Sequence, residues 1–275
     1  MNSLHPKAVV LLSGGLDSTV TAAIAQQDGF RIHCVTVSYG QRHQVEVERA
    51  RAVASALGAA GHVVVTVDLR AIGGSALTAD VEVPKDRTSE ERAGEIPVTY
   101  VPARNTIFLS LALAYAETVK ASSIYFGANV LDYSGYPDCR PEFIRAFETV
   151  ARLGTKTGVE GLGVEVRAPL LMLSKADIVR RGQALNAPFE LTHSCYDPGV
   201  EGVACGRCDS CRIRREGFRL AGVVDPVDLR HGSEAGRARE GDAGAPRAPS
   251  AGRAAPQATG RPAQSVDGRS GQLRA

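Results

Sequence analysis

The chain has 275 residues, 44% apolar and 23% charged, with six cysteines and no tryptophan. It is long enough to bury a core without disulfides, no run reaches the roughly 20 apolar residues of a membrane span, and the stretch from Ala8 to Leu12 is too short for a signal-peptide core, which points to a soluble, cytoplasmic protein with no membrane partner. The net charge of +2 and pI near 8.2 hint at an acidic partner. From His231 onward, however, seven arginines meet four acids, whereas residues 1–230 carry 25 basic and 26 acidic side chains, so the basicity belongs to the tail and no nucleic-acid partner is expected.

In chain order, Lys7 to Leu12 is an apolar run between Pro6 and Ser13-Gly14-Gly15, as a buried parallel strand looks. Similar runs lie at Ile32–Tyr39, His62–Leu69, Ser123–Gly127 and Val164–Leu170. Helical patterns separate or follow them at Ser18–Gln27, Gln44–Leu57, Thr106–Lys120, Glu142–Arg152 and Lys175–Leu185. This alternation predicts an α/β fold, a Rossmann-like doubly wound parallel sheet that binds its ligand beyond the carboxyl ends of its strands. Leu69–Pro102 interrupts the pattern and reads as a lid, binding loop or insert. The 45 residues from His231 hold eleven Ala, eight Gly and four Pro, with Val266 and Leu273 the only larger aliphatics. They cannot bury enough apolar surface to offset ordering, so disorder is expected. An arginine-rich RNA-binding arm is the functional alternative, but no aromatic is interleaved with the arginines.

The first chemical signal is Ser13-Gly14-Gly15-Leu16-Asp17-Ser18 after the first strand. Two glycines let the backbone turn tightly around an anion, and the helix that opens behind them favours phosphate at its N-terminus. No Gly-Lys-Ser/Thr follows, so this is not a Walker loop. The second signal is Cys195, Cys205, Cys208 and Cys211, spaced C-x9-C-x2-C-x2-C. Four thiolates in that spacing suit one structural zinc with no open position for catalysis, and an iron–sulfur cluster is the rival. Cys34 reads as a small core residue. Cys139 is either a loop thiol or a nucleophile.

Three more segments follow strands or open a helix on the same sheet edge: Tyr39-Gly40-Gln41-Arg42-His43, Tyr100-Val101-Pro102-Ala103-Arg104-Asn105, and Asn129 through Asp132-Tyr133-Ser134-Gly135-Tyr136-Pro137-Asp138-Cys139-Arg140. They offer arginine for phosphate or carboxylate, and acids and tyrosines for a polar heterocycle.

The phosphate loop resembles that of the PP-loop ATP-pyrophosphatases, an adenine nucleotide alpha hydrolase-like fold. Together with the three segments, His193-Ser194-Cys195-Tyr196 and the cysteine module, the span from about Pro6 to Pro226 resembles the 7-cyano-7-deazaguanine synthase family. The resemblance implies a carbon–nitrogen ligase that uses ATP and ammonia to convert 7-carboxy-7-deazaguanine to its nitrile, a queuosine precursor. It implies ATP on Leu12, Ser13, Gly14, Gly15, Leu16, Asp17, Ser18, Thr19, Val20, Thr21 and Ala22, with Mg²⁺ organised by Asp17. Asp17, Arg104 and Lys175 become the catalytic candidates, and Asp132, Asp138 and Arg140 the substrate candidates. The expected organisation is an ATP-binding catalytic domain over 1–192, a zinc-binding helical module over 193–229 and the tail over 230–275. A homodimer is carried by family likeness alone. A tRNA-thiolating PP-loop enzyme and a zinc-ribbon nucleic-acid-binding protein are the competing readings.

Overall fold

The computed structural model describes residues 5–41, 45–88, 91, 96–131, 136–199 and 202–227. The chain divides into two compact units, Met1–Glu234 and Ala235–Ala275. The second unit, and with it the expected disordered tail, lies outside the described residues.

Five strands form one parallel sheet: β1 (Lys7–Leu11), β2 (Arg31–Ser38), β3 (Gly61–Thr66), β4 (Ser123–Tyr125) and β5 (Glu165–Arg167). Their order is β3-β2-β1-β4-β5, and every pairing is parallel. The order reverses at β1, where the chain departs to β2 on one side and later to β4 on the other. That reversal opens a crevice between the carboxyl ends of β1 and β4.

Alternate β1 side chains enter different cores, because a strand's residues face opposite ways. Val9 and Leu11 join a cluster with Leu109 and Ala112 of α3 (Arg104–Val119) and Ile144 and Phe147 of α4 (Pro141–Gly154). Ala8 and Val10 face α1 (Leu16–Gln27), α2 (Val45–Ala56) and α6 (Lys175–Ala184) through Val20, Val53 and Ile178. Helices therefore cover both faces of the sheet, as the alternating pattern predicts. A single-turn α5 (Lys156–Val159) follows α4, and α7 (Asp209–Ala221) is closed by Gly222 in the left-handed region at φ 71°.

Three of the apolar runs continue two or more residues beyond their strands. Pairing ends at Thr66, Tyr125 and Arg167, and the remaining apolar residues turn off the sheet. Phe126, Ala128 and Leu170 are buried there without being strand, since hydrophobicity reports burial rather than ladder membership. Within 69–102 the described residues form a short 3-10 turn at Leu69–Ala71 and mostly irregular backbone, apart from the helical Glu91 and an isolated antiparallel bridge between Lys85 and Cys208.

Candidate active site

The loop after β1 turns at Gly14, whose φ of 79° suits glycine. A side chain there is also barred by space: a Cβ would lie 2.4 Å from the Glu46 carbonyl oxygen and 2.7 Å from the Ala50 nitrogen. Ser18 closes the loop from within. Its hydroxyl accepts from the Ser13 N–H at 3.1 Å and donates to the Gly15 carbonyl at 3.0 Å. His193 braces the loop from outside by donating its N–H to the Gly14 carbonyl at 2.9 Å. Gly127, just past β4, approaches so closely that a Cβ would sit 3.3 Å from the Ser18 nitrogen. The first N–H groups of α1, which no helix can pair internally, thus face the crevice between β1 and β4.

A cavity of about 240 Å³ opens here. At one end are Ser13, Gly15, Asp17, Ser18, Gly127 and Lys175. Lys175 Nζ donates to both Asp17 carboxylate oxygens, at 2.7 and 2.8 Å. Ser174, whose hydroxyl accepts from the Asp177 N–H, caps α6 and fixes where Lys175 begins. Gly217 of α7 leaves room for the lysine stem, since a Cβ would lie 2.3 Å from Lys175 Cγ.

The other lining is aromatic and charged: Tyr39, Glu46, Arg104, Phe108, Tyr136 and Tyr196. Arg104 starts α3 directly after Ala103, a non-glycine residue at φ 53°. Such backbone persists only where the surroundings enforce it. Burial works against the Arg104 charge, but Tyr39, Tyr136, Tyr196 and Cys139 around it together outweigh burial and hold its pKa above the ordinary arginine range. Burial raises the Glu46 carboxyl to about 7 against the pull of Arg104. Cys139 also lines the cavity, with burial and then Asp138 pushing its thiol up to about 12.

The four cysteine sulfurs all lie within 4.8 Å of one another, with Cys195 and Cys208 Sγ 4.0 Å apart. A tetrahedral zinc with sulfur at about 2.3 Å needs edges of about 3.8 Å, so the cluster fits a single metal ion. The N–H groups of Cys205 and Cys208 donate to Cys195 Sγ at 3.2 Å and to Cys205 Sγ at 3.3 Å, as tight metal knuckles do. Hydrogen bonds from Cys195 and Cys211 hold the Cys208 thiol well below its usual range. The cluster also anchors the irregular segment: Lys85 pairs with Asp197 at 2.9 Å, Asp86 with Arg207, and Arg87 with Asp209. From this module Ser194, Tyr196, Ser210, Ile213 and Arg214 reach the cavity wall. Arg214 is buried, held by Asp225 at 2.5 and 2.8 Å and donating to Thr192 at 2.8 Å.

The structure brings Asp17, Arg104 and Lys175 into one cavity together with Leu12, Ser13, Gly15, Leu16 and Ser18. Thr19, Val20, Thr21 and Ala22 lie deeper in α1, where they are buried and the two threonine hydroxyls bond to the carbonyls of Gly15 and Asp17. Asp138 turns one oxygen to the Asn105 N–H at 3.0 Å, capping α3, which has no side-chain cap at Ala103. Arg140 is exposed at the start of α4. Asp132, Arg42 and His43 lie outside the described residues. Glu46 and Arg214 have no counterpart among the residues singled out from sequence. The nearest signals were the Tyr39–His43 segment three residues before Glu46 and the Cys211 ligand three residues before Arg214.

The description "Queuosine biosynthesis protein QueC" belongs to the family model that matches residues 7–222. Proteins named 7-cyano-7-deazaguanine synthase are similar over the same region. That of Myxococcus xanthus is 62% identical over 221 residues, covering 80% of this chain and 96% of the relative. That of Syntrophus aciditrophicus is 60% identical, covering 80% and 96%, and that of Kineococcus radiotolerans is 58% identical, covering 81% and 97%. The matched span contains the phosphate loop, the Arg104 segment, Lys175 and all four clustered cysteines, and the chain belongs to the QueC family.

Proposed function

We propose that the chain converts 7-carboxy-7-deazaguanine and ammonia to 7-cyano-7-deazaguanine at the expense of ATP. The observation that carries this reading is the meeting, in one cavity at the switch point, of the phosphate loop and the Asp17–Lys175 pair with a wall of tyrosines and Arg104. One end suits a nucleotide's phosphates and the other a flat polar ring. The chemistry needs both ends. A carboxylate is a poor electrophile until adenylylated, when AMP becomes its leaving group. Ammonia can then form an amide, and a second activation lets the amide oxygen depart as AMP while the nitrogen loses its protons to give the nitrile.

This chain's part is to orient and to stabilise charge. The N–H groups opening α1 hold the phosphates, and Lys175 and Arg104 offset negative charge on the departing pyrophosphate. Asp17, with the hydroxyls of Ser13 and Ser18, offers the few hard oxygen donors that Mg²⁺ takes alongside waters and phosphate oxygens; the ion supplies charge neutralisation when bound. We assign the Cys195–Cys211 cluster to one structural zinc, since four protein sulfurs leave no open position. On this reading 1–192 is the catalytic region and 193–229 the metal-stabilised wall.

Against a thiolating enzyme stands the state of the two cysteines outside the cluster. Burial pushes the Cys34 and Cys139 thiols up to about 12, which suppresses the thiolate that sulfur transfer needs. The test is to supply the carboxy-deazaguanine, Mg-ATP and ammonium, then measure pyrophosphate and identify the product by mass. The nitrile supports the proposal, and no ATP consumption overturns it.

A further inference from the structure

We infer that Glu46 selects the heterocycle by accepting hydrogen bonds from its donor edge, the ring N–H and adjacent exocyclic amine of a deazaguanine. The inference rests on the substrate reading above and deepens it. Glu46 is in the first turn of α2, and its backbone is pressed against the phosphate loop. The 2.4 Å separation a Cβ on Gly14 would have from the Glu46 carbonyl oxygen shows how little play remains. The side chain is thus aimed from a fixed base. It lines the main cavity with Tyr39, Arg104, Phe108 and Tyr136, and a smaller adjoining cavity with Tyr196.

No described residue gives the Glu46 carboxylate a hydrogen bond or an ion pair at contact distance, while the neighbouring Tyr39 and Tyr136 have theirs. A half-buried carboxylate on a cavity wall, paired with no described residue, is completed by a ligand that brings donors. Burial raises its proton affinity, and among the described residues Arg104 is the charge that favours its ionised form. A guanine-like ring brings two N–H donors side by side, the spacing two carboxylate oxygens accept together. The surrounding aromatic side chains suit the ring's faces. The heterocycle's own carboxylate would then be left for the phosphate end, where it is activated. A site built this way strongly rejects an analogue lacking the N–H it expects, because its acceptor stays unpaired.

The experiment uses the full chain as wild type, Glu46→Gln and Glu46→Asp, each checked by thermal melting. Calorimetry compares 7-carboxy-7-deazaguanine with the same ring lacking its exocyclic amine, and kinetics separates KM from kcat. Wild type is expected to prefer the amine-bearing ring by about tenfold or more. Glu46→Gln, which presents a donor to a donor, should lose that preference and raise KM for the heterocycle, with KM for ATP and kcat held; Glu46→Asp should fall between. A preference unchanged in Glu46→Gln, alongside normal wild-type turnover, overturns this inference alone. Loss of kcat at constant KM also overturns it, in favour of proton transfer. Wild type that neither binds the heterocycle nor releases pyrophosphate overturns the substrate reading and this inference with it.

Discussion

Lys175 Nζ bridges both carboxylate oxygens of Asp17, at 2.7 and 2.8 Å, and so ties the first turn of α6 to the first turn of α1. The lysine side chain is 10% exposed and the aspartate 24%, so the pair is confined enough for each charge to depend on the other. It also stands where phosphates would arrive. Asp17→Asn should lower pyrophosphate release on the order of a hundredfold, as loss of a preorganised charge does, while the protein keeps one equivalent of metal. Near-normal turnover in this variant would remove Asp17 from the machinery. Lys175→Met should behave alike and weaken ATP binding.

Gly217 offers a sharper test, because it does not line the cavity. An alanine Cβ would stand 2.3 Å from Lys175 Cγ, against the stem rather than its mobile end. Gly217→Ala should cost about 1–3 kcal/mol, the range for overpacking, and should also displace the lysine. Denaturant unfolding reads the first effect and pyrophosphate release the second. A fully active, fully stable Gly217→Ala would show that α7 does not seat Lys175.

Metal removal should act at a distance. Because α7 begins at the cluster and carries Ser210, Ile213 and Arg214 to the cavity, chelation or Cys208→Ser should lower the melting temperature and weaken ATP binding together. Since thiolates bind the metal, retention should fall as pH falls. Metal content and nucleotide affinity, measured as pH is lowered from about 8 to about 5 so that thiolates regain protons, should decline in step.

At the alkaline end the sign reverses. Cys34 and Cys139 have thiol pKa values of about 12 in the fold, against 9.0 for an ordinary thiol. The unfolded chain therefore loses these protons first. Their contribution to stability is present below pH 9.0 and is lost as pH rises toward about 12. Cys34→Ala with Cys139→Ala should flatten the alkaline fall in melting temperature. Alkylation of either thiol in the native protein at pH 8, roughly where exposed thiols react freely, should be slow, and rapid labelling would contradict the burial.

The sequence made the sheet and its helices legible because buried strands and amphipathic helices leave different periods, and Val9 and Val10 parted to opposite cores as alternation requires. The phosphate loop and the cysteine cluster were legible because each is local: one turn, or four ligands within seventeen residues. What stayed hidden depends on tertiary packing. Glu46 opens a helix and looks solvated until α2 is seen pressed on Gly14. Asp138, read as a substrate residue, has one oxygen bound to the Asn105 N–H 33 residues earlier, a cap no local pattern announces. Arg214 sits among arginines of α7 that look alike until Asp225 buries one of them.

The nucleotide loop is among the first segments synthesised, yet its braces come late. Lys175 follows Asp17 by 158 residues, and His193, which donates to Gly14, follows it later still. At about 5–20 residues per second, a growing chain carries an unbraced loop for roughly ten to thirty seconds. Contacts of such separation close slowly even in free chains. A nascent chain should therefore be unable to hold ATP until α6 has emerged, which makes nucleotide binding a late event in the life of this polypeptide and a reporter that the loop's distant brace has arrived.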